Sequence, residues 1–391
     1  MKLATRMNRL GTETAFEVLV RARALEAQGR DIVHLEVGEP DFDTPANIIE
    51  AGADALRSGW THYGPAGGQP DFKTAIANYL NTARGTNYDL NNIVVTPGGK
   101  PIMFFVILAL LEAGDEAIYP NPGFPIYESM INFTGAKAVP APILEENAFA
   151  LDVDGLEALI TSKTKLLIIN SPSNPTGGVL NREEITRIAE LAVKHDLIVL
   201  ADEIYAEVLF EGEHVSIAAM PGMAERTIIL DGFSKTYAMT GWRLGYGAMP
   251  KEFAEVVTTL MVNSNSCTSM AVQRAGLEAL TGPQDAVKEM IEAFRRRRTL
   301  IVDGLNAIDG ITCLLPKGAF YVFPNISATG MKSKPFADYL LQEHGVAALS
   351  GTAFGAYGEG YLRLSYANSE ENLLKALGRL QDAVTGAKAL A

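Results

Sequence analysis

Four segments of the chain place polar and reactive residues directly after short β-rich runs. The segments are Pro97-Gly98-Gly99-Lys100-Pro101, Ser171-Pro172-Ser173-Asn174-Pro175-Thr176-Gly177, Asp202-Glu203-Ile204-Tyr205 and Gly232-Phe233-Ser234-Lys235. Ligands of open parallel sheets bind beyond the carboxyl ends of the strands, so we expect these segments to meet at one edge. That edge would bring together a glycine turn, an amide, a carboxylate, a phenol and a lysine.

Lys235 and Asp202 carry the most chemical information. A lysine that follows a buried strand is costly unless it is paired, neutral or used covalently. Taken alone, Lys235 is typical of a lysine whose amine reaches solvent, and Asp202 of a helix cap or turn. Taken together, an amine that can form a Schiff base and a carboxylate that can pair with a ring nitrogen are the two groups that pyridoxal phosphate chemistry needs.

The glycine turn before Pro101 is suited to an anion. Small residues let a phosphate approach free backbone N–H groups at a helix start, and proline is favoured in the first helical turn. The turn is not a nucleotide-binding P-loop, because Val94 stands where the first glycine should be and Pro101 where the hydroxyl should be. No G-x-G-x-x-G fingerprint follows a predicted strand either, so nucleotide binding loses support.

The elements that position these residues alternate along the chain. Predicted strands occupy 92–96, 117–119, 165–170, 197–201 and 227–231. Several are apolar nearly throughout, as in parallel sheets covered by helices on both faces. Asn181 and Glu184 form a capping-box-like helix start between two of them. After about residue 290 the strands become fewer and shorter, which indicates a smaller α+β domain.

Composition excludes several classes of protein. The chain has 391 residues, 33 Lys+Arg against 46 Asp+Glu and a net charge of −13, which argues against a nucleic-acid binder. Hydrophobic residues make up 48%, so a large core is expected. Two cysteines are too few for a disulfide scaffold or a four-ligand zinc site. We expect no metal, no membrane span and a cytoplasmic location, and we expect Arg295–Arg298 to form a solvated helix face.

Five motifs in order resemble those of the class I aminotransferases of fold type I, in particular the bacterial and archaeal aspartate/prephenate-type subgroup. They are Ser171 to Gly177, Asp202 to Tyr205, Ser234-Lys235 with Met239 to Tyr246, Gly318-Ala-Phe-Tyr321 and Arg363-Leu-Ser-Tyr-Ala367. The resemblance runs from Val37-Gly-Glu-Pro-Asp-Phe42 to Arg363. It implies an α/β fold with a large, mostly parallel sheet sandwiched by helices and a smaller α+β domain. The implied limits are 1–47 for an N-terminal segment that joins the small domain, 48–290 for the large cofactor-binding domain and 291–391 for the small domain.

The resemblance implies pyridoxal 5'-phosphate as cofactor and assigns its binding residues. Lys235 would form the Schiff base and move the substrate proton, and Asp202 would keep the pyridine nitrogen protonated. Asn174 and Tyr205 would hydrogen-bond the phenolic oxygen, and Phe124 would stack on the ring. The phosphate would be held by the residues Gly98, Gly99, Lys100, Ser234 and Arg243. Tyr63 would reach the phosphate of the neighbouring subunit, which implies a homodimer with shared active sites.

For the substrate, the resemblance implies that Arg363 clamps the α-carboxylate, with Gly38 and Asn174 nearby. Lys100 could reach a side-chain carboxylate, whereas Glu17 is expected near the substrate-covering segment and would oppose one. Three residues depart from the family pattern and leave the choice of substrate open. They are Gly232 in place of a hydroxyl, Phe124 in place of Trp or Tyr, and Pro101 in place of a helix former.

The implied activity is transfer of an α-amino group from an amino acid to a 2-oxo acid, with 2-oxoglutarate and glutamate as one pair. A pyridoxal phosphate-dependent lyase, decarboxylase or cyclase would keep the same residues and stays open as the alternative. A non-catalytic ligand-sensing module is disfavoured because Lys235 is present. The partners expected are therefore amino acids, 2-oxo acids and a second copy of the chain.

Overall fold

The computed structural model describes residues 1–390, in which helices and strands alternate. The strands are β1 (Val33–His34), β2 (Ile93–Thr96), β3 (Glu116–Asn121), β4 (Lys137–Pro142), β5 (Thr164–Asn170), β6 (Ile198–Asp202), β7 (Thr227–Gly232), β8 (Gly245–Ala248), β9 (Tyr321–Val322), β10 (Val346–Ala347), β11 (Leu349–Ser350) and β12 (Leu362–Ser365). The α-helices are α1 (Thr14–Glu26), α2 (Ala46–Arg57), α3 (Pro70–Arg84), α4 (Lys100–Leu110), α5 (Ile126–Thr134), α6 (Val153–Leu159), α7 (Arg182–Lys194), α8 (Lys251–Ser264), α9 (Met270–Thr281), α10 (Asp285–Asn306), α11 (Ser333–His344) and α12 (Glu370–Leu390).

A seven-stranded sheet forms the centre of the molecule, in the order β2-β8-β7-β6-β5-β3-β4. The strands from β4 to β7 in this order are parallel to one another, and β8 runs antiparallel to both β7 and β2. The predicted α/β fold with a mostly parallel sheet is confirmed. The carboxyl ends of β5, β6 and β7 therefore lie side by side, as predicted from the sequence.

Alternation along each strand explains how helices cover both faces. In β5, Leu166 and Ile168 pack in one apolar cluster with residues of α4, α5 and α8, whereas Leu167 and Ile169 pack in another with residues of α7. Successive side chains of a strand point to opposite faces, so a strand that is apolar throughout needs cover on both sides. α7 begins with the predicted capping box of Asn181 and Glu184.

Two smaller sheets lie outside the central one. β11, β12 and β9 form an antiparallel sheet, and β1 pairs in parallel with β10, which connects the N-terminal part of the chain to the C-terminal part. β1, β9, β10 and β12 share an apolar core with α10, α11 and α12. The predicted limit between residues 290 and 291 falls inside α10, and the domain limits stay a prediction.

The expected solvated face of the arginine run is wrong for two of its four residues. Arg297 and Arg298 are buried, because α10 turns this side towards the rest of the molecule. Arg297 pairs with Asp41 at 2.7 Å, and Arg298 pairs with Glu211 at 3.0 Å. The run therefore holds other segments against α10 in place of forming a solvated patch.

Within residues 1–390, no helix has the length and apolar character that crossing a membrane requires.

Candidate functional site

A cavity of about 530 Å³ opens where the carboxyl ends of β5, β6 and β7 meet the start of α4. Its lining includes nearly all of the residues expected to form the site: Gly38, Gly99, Lys100, Phe124, Asn174, Asp202, Tyr205, Ser234, Lys235, Arg243 and Arg363. The floor of the cavity is defined here as Asp202, Tyr205, Ser234 and Lys235. Parallel strands bring together residues that lie far apart in the sequence, which explains why one strand-end rule finds most of them.

Lys235 lies in the turn after β7, with its amine directed into the cavity. The amine donates a hydrogen bond to the backbone carbonyl of Gly38 and lies 5.9 Å from the centre of the Tyr205 ring. Burial, helped by the positive charge of Arg363, lowers the pKa of Lys235 to about 8. A substantial fraction of this amine is therefore neutral near pH 8, which is the form that acts as nucleophile or base.

Asp202 is the last residue of β6 and is buried. Its carboxylate accepts hydrogen bonds from the Tyr127 hydroxyl at 2.5 Å and from the backbone N–H of Ile204 at 3.3 Å. Burial raises its pKa to about 6, although both hydrogen bonds act in the opposite direction. Such a carboxylate lies in a low-dielectric site, where its attraction for a cationic ring nitrogen is strong.

A second layer of charges lies behind the floor and joins β6 to β7. Arg84, at the end of α3, contacts Glu203 at 3.2 Å and Asp231 at 3.7 Å, and all three side chains are buried. Glu203 follows Asp202 directly, and Asp231 lies four residues before Lys235. Burial raises the pKa of Asp231 to about 7. Because a buried charge without a partner is costly, this group holds the two strand ends together.

Arg363 lies on β12 and reaches the cavity beside Tyr321. Its guanidinium carbon is 4.5 Å from the centre of the Tyr321 ring, and one terminal nitrogen donates to Asn174 at 3.4 Å. The other terminal nitrogen donates to the backbone carbonyl of Glu36. The Nε of Arg363 is buried without a partner in the described structure. A buried donor without a partner favours a ligand that accepts hydrogen bonds here.

Gly98, Gly99 and Arg243 form a corner that is suited to an anion. Gly98 has a φ of 88°, and an added Cβ there would collide with the Arg243 guanidinium. Arg243 itself has a φ of 59°, which is uncommon for a residue with a side chain. The corner also includes the amino end of α4, where backbone N–H groups are free of helix partners. Gly98 stands behind this corner and does not itself line the cavity.

Phe124 lines the cavity beside Asp202's partner Tyr127, with the two rings 5.6 Å apart and nearly perpendicular. Tyr63 lies elsewhere: it is 88% exposed and does not line the cavity of the single chain. Its expected role towards a neighbouring subunit stays a prediction.

Three residues of the site were not predicted from the sequence. Tyr127 stands three positions after Phe124 at the start of α5, and this helical spacing was the signal that could have found it. Tyr321 was noted only as part of a motif, yet its hydroxyl lies 2.6 Å from that of Tyr205. Glu13 lines the cavity and pairs with Lys100.

The expectation for Glu17 is wrong. Glu17 is exposed on α1 and does not line the cavity, because α1 begins at Thr14 and carries Glu17 on its solvent side. Glu13, which precedes the first residue of α1, takes the place near the substrate region that was expected for Glu17.

The fold and the cavity together define a known class of enzyme. The family described as "Aminotransferase class I and II" matches residues 30–380, and the chain belongs to it. The protein is an aminotransferase, that is, a transaminase, and the expected resemblance is confirmed.

Individual relatives support the same class. An aspartate aminotransferase of Pyrococcus abyssi is 44% identical over 356 residues, which cover 90% of this chain and 91% of the relative. A protein of Aquifex aeolicus named "Probable aspartate/prephenate aminotransferase" is 39% identical over 389 residues and 98% of both chains. The solved structure of Thermus thermophilus aspartate aminotransferase with maleate has a TM-score of 0.94 and 39% identity, and the match covers 98% of this chain and 100% of the other.

Members of this family use pyridoxal 5'-phosphate, and the cavity fits that group in three respects. Lys235 offers an amine whose pKa is lowered, which suits attachment to an aldehyde. Asp202 offers a buried carboxylate, which suits a protonated ring nitrogen. The corner of Gly98, Gly99 and Arg243 offers donors and close backbone approach, which suits a phosphate.

Proposed function

We propose that this aminotransferase carries pyridoxal phosphate covalently on Lys235 and moves an α-amino group between an amino acid and a 2-oxo acid. The observation that carries the proposal is that the Lys235 amine and the Asp202 carboxylate face one cavity, with pKa values shifted by burial to about 8 and about 6. When bound, pyridoxal phosphate supplies an electron sink for the carbanion that forms at the substrate Cα.

The floor residues and their neighbours have different roles at the cofactor ring. Asp202 holds the proton on the pyridine nitrogen, and Tyr127 fixes the orientation of that carboxylate through its hydroxyl. Tyr205 and Asn174 would donate towards the phenolic oxygen, and Phe124 would cover one face of the ring. Lys235 would hold the cofactor and, with its amine free, would take the proton from the substrate Cα and return it at the cofactor carbon.

The anion-binding corner anchors the phosphate. Arg243 contributes a permanent positive charge, and Ser234 contributes a hydroxyl from the turn that also carries Lys235. Backbone N–H groups of Gly99 and Lys100 at the amino end of α4 would face the phosphate, and Gly98 leaves room for the Arg243 guanidinium beside them.

The substrate is held at its α-carboxylate by Arg363. The aromatic rings of Tyr321 and Phe354 lie 4.5 and 5.0 Å from the guanidinium carbon and restrict its orientation. Asn174 and the Gly38 backbone flank the same place. We assign 2-oxoglutarate and glutamate as one substrate pair, with Lys100 as the group that meets the distal carboxylate.

The assembly is proposed to be a homodimer in which Tyr63 of one protomer reaches the phosphate site of the other. The support is that Tyr63 is 88% exposed and that Arg243, at the phosphate corner, is also exposed in the single chain. Mixing inactive Lys235→Ala and Tyr63→Phe chains tests this, because hybrid dimers would regain one site with both residues. If the mixture stays at the sum of the two separate activities, Tyr63 does not cross the interface.

The proposed function is tested by reducing the holoenzyme with borohydride and mapping the labelled peptide. We expect the cofactor on Lys235, a yellow wild-type protein and no turnover by a Lys235→Ala variant, while Lys251→Ala, which removes an exposed lysine, behaves as wild type. Label on another lysine would refute the assignment.

The type of reaction is tested by product analysis with and without a 2-oxo acid. A transaminase forms a new amino acid only when the 2-oxo acid is present. Steady release of carbon dioxide, ammonia or a cyclic product in its absence would instead identify a decarboxylase, a lyase or a cyclase.

A further inference from the structure

Glu13 and Lys100 face each other at the entrance of the cavity, and with Phe16 they are called the mouth. The Glu13 carboxylate forms an ion pair with the Lys100 ammonium, and both residues line the cavity. The Lys100 ammonium also lies 5.4 Å from the centre of the Phe124 ring. The mouth is therefore continuous with the wall that would cover the cofactor ring.

The ion pair sets the charge that a substrate side chain meets. Lys100 alone would offer a cation to a distal carboxylate, but Glu13 supplies an equal negative charge to the same place. The influence of both charges extends to the floor, since Glu13 raises and Lys100 lowers the pKa of Lys235. With the pair closed, the distal end of the cavity is close to neutral.

The two partners are held differently. Lys100 is the first residue of α4, and the next turn of this helix buries Ile102 and Met103. Glu13 precedes α1, in a stretch where residues 1–12 are exposed, and the nearby Gly11 N–H is bonded to the Ser129 hydroxyl. Rotation of the Glu13 side chain therefore opens the pair with little other change, whereas Lys100 stays at the mouth.

Apolar residues accompany the ion pair in the lining of the cavity. They are Ala15 and Phe16 of α1, Met103 of α4, and Phe124, whose ring lies beside the Lys100 ammonium. Phe16 is 56% exposed in the single chain, which leaves its ring available to a substrate side chain. An uncharged apolar side chain meets matching surface here, and it needs no change in the ion pair.

This inference rests on the proposed function, because amino transfer in two half-reactions requires one cavity to accept two different side chains in turn. We propose that Glu13 is a specificity-determining residue that makes this possible. While it is paired with Lys100, the cavity takes an amino acid with an apolar side chain. When a dicarboxylate enters, its distal carboxylate replaces Glu13 on Lys100, and Glu13 turns to solvent.

Binding of unreactive acids to the holoenzyme tests the proposal without turnover. Maleate serves as the dicarboxylate and 3-phenylpropionate as the apolar monocarboxylate, each measured by calorimetry. Glu13→Gln keeps the size of the side chain but removes its competition for Lys100. We expect the ratio of maleate to 3-phenylpropionate affinity to rise roughly two- to fivefold, the range for partly exposed ion pairs.

Glu17→Gln is the matched control, because it removes the same charge from the next turn of the chain without altering the lining of the cavity. This variant should keep the wild-type affinity ratio. An unchanged or lowered ratio in Glu13→Gln overturns the proposal, and so does an equal rise in both variants, which would indicate a general effect of net charge.

A spectral panel separates this proposal from the function on which it rests. In single half-reactions, glutamate should gain in rate over phenylalanine when Glu13 is replaced by Gln, and arginine should not gain. If no amino acid changes the cofactor spectrum of the wild type, the proposed function fails. If the wild type reacts but Glu13→Gln gains only for arginine, the role of Glu13 is wrong and the proposed function stands.

Discussion

The floor and the mouth of the cavity differ in burial and in how their side chains are held. Asp202 and Tyr205 are buried at the end of β6, and the Arg84, Glu203 and Asp231 group supports them from behind. The Lys100 and Phe16 side chains of the mouth are exposed, and the Lys100 ammonium has one ion-pair partner among the described residues, Glu13. Interactions are strong where water is excluded and weak where it is not. The floor should therefore control rate, and the mouth should control choice of substrate.

The largest effect is expected at the floor, from Asp202→Asn. An amide of the same size keeps an acceptor for the Tyr127 hydroxyl but cannot hold a proton on the pyridine nitrogen. We expect kcat to fall roughly a hundred- to a thousandfold, the range for loss of one preorganised electrostatic group. Steady-state kinetics with saturating cofactor measure it.

Asp231→Asn is the matched control for that change. Asp231 is a buried carboxylate on the neighbouring strand, but it bonds Tyr246 at 3.0 Å and does not line the cavity. Its replacement should lower stability more than kcat. If the two variants lost kcat equally, the loss in Asp202→Asn could not be assigned to contact between Asp202 and the cofactor ring.

Arg363→Lys should have the next largest effect, on KM and not on kcat. A lysine ammonium keeps the positive charge but cannot make the planar two-point contact with a carboxylate. Hydrogen bonds to charged groups are worth about 1.5–3 kcal/mol, so KM for the amino acid should rise roughly ten- to a hundredfold. An unchanged KM for every amino acid would exclude Arg363 as the clamp.

The floor could largely be predicted from the sequence because each of its residues follows a strand. The predicted strand 165–170 is observed as Thr164–Asn170, and 227–231 as Thr227–Gly232, so their carboxyl ends were correctly located. Neighbouring parallel strands then bring Asn170, Asp202 and Lys235 to one edge without further information. The roles of Tyr205 and Arg363, in contrast, followed only from the family resemblance.

Two strands of the central sheet, β4 and β8, escaped prediction. β8 has the sequence Gly-Tyr-Gly-Ala, which lacks the β-branched residues that mark strands. Its first residue, Gly245, must be small, since an added Cβ would collide with the backbone of Gly98 and Gly99. Close packing of Gly245 against Gly98 and Gly99 requires a glycine in β8, which removes the sequence pattern of a strand. The same packing supports the anion-binding corner.

Lys100 was expected at the site, but its pairing with Glu13 at the mouth could not be predicted, because the pairing depends on contacts between distant segments. Glu13 reaches Lys100 because the N-terminal residues lie along α5, where Arg9 donates to the Asn132 carbonyl at 2.8 Å and Gly11 bonds Ser129. No local pattern near Glu13 indicates these contacts. The expectation that Glu17 lies at the substrate region was wrong for the same reason.

A smaller effect at the floor concerns the charge of Lys235 and its dependence on pH. In the cofactor-free protein the pKa of Lys235 is lowered to about 8, whereas an unfolded lysine has a pKa near 10.4. Below pH 8 both states bind the proton, and the full cost of burying the charge is present. Between pH 8 and about 10.4 unfolding takes up a proton, so the native state gains stability as pH rises.

Lys235→Met removes this charge and makes the trend measurable. The variant should be more stable than wild type by about 3 kcal/mol at pH 7, and the difference should shrink towards pH 10. Urea unfolding of both cofactor-free proteins at several pH values gives the difference between their free energies of unfolding. Tyrosines that both proteins share titrate alike, so their contribution cancels in this difference. A difference that does not vary with pH would show that Lys235 titrates normally.

The smallest effect is expected at the mouth, from Lys100→Ala, and its value lies in its selectivity. The substitution removes the cation that meets a distal carboxylate and leaves Glu13 unpaired beside it, so both changes oppose a dicarboxylate. Because the ammonium is exposed, solvent screens the interaction, and KM for glutamate should rise only about three- to tenfold. Alanine, whose side chain does not reach Lys100, should keep its KM within about twofold.

The increase in KM for glutamate should also shrink at high ionic strength, whereas the loss of kcat in Asp202→Asn should not, because buried charges are screened much less. If KM rose equally for glutamate and alanine, Lys100 would serve the phosphate corner alone, and the mouth would not select substrates.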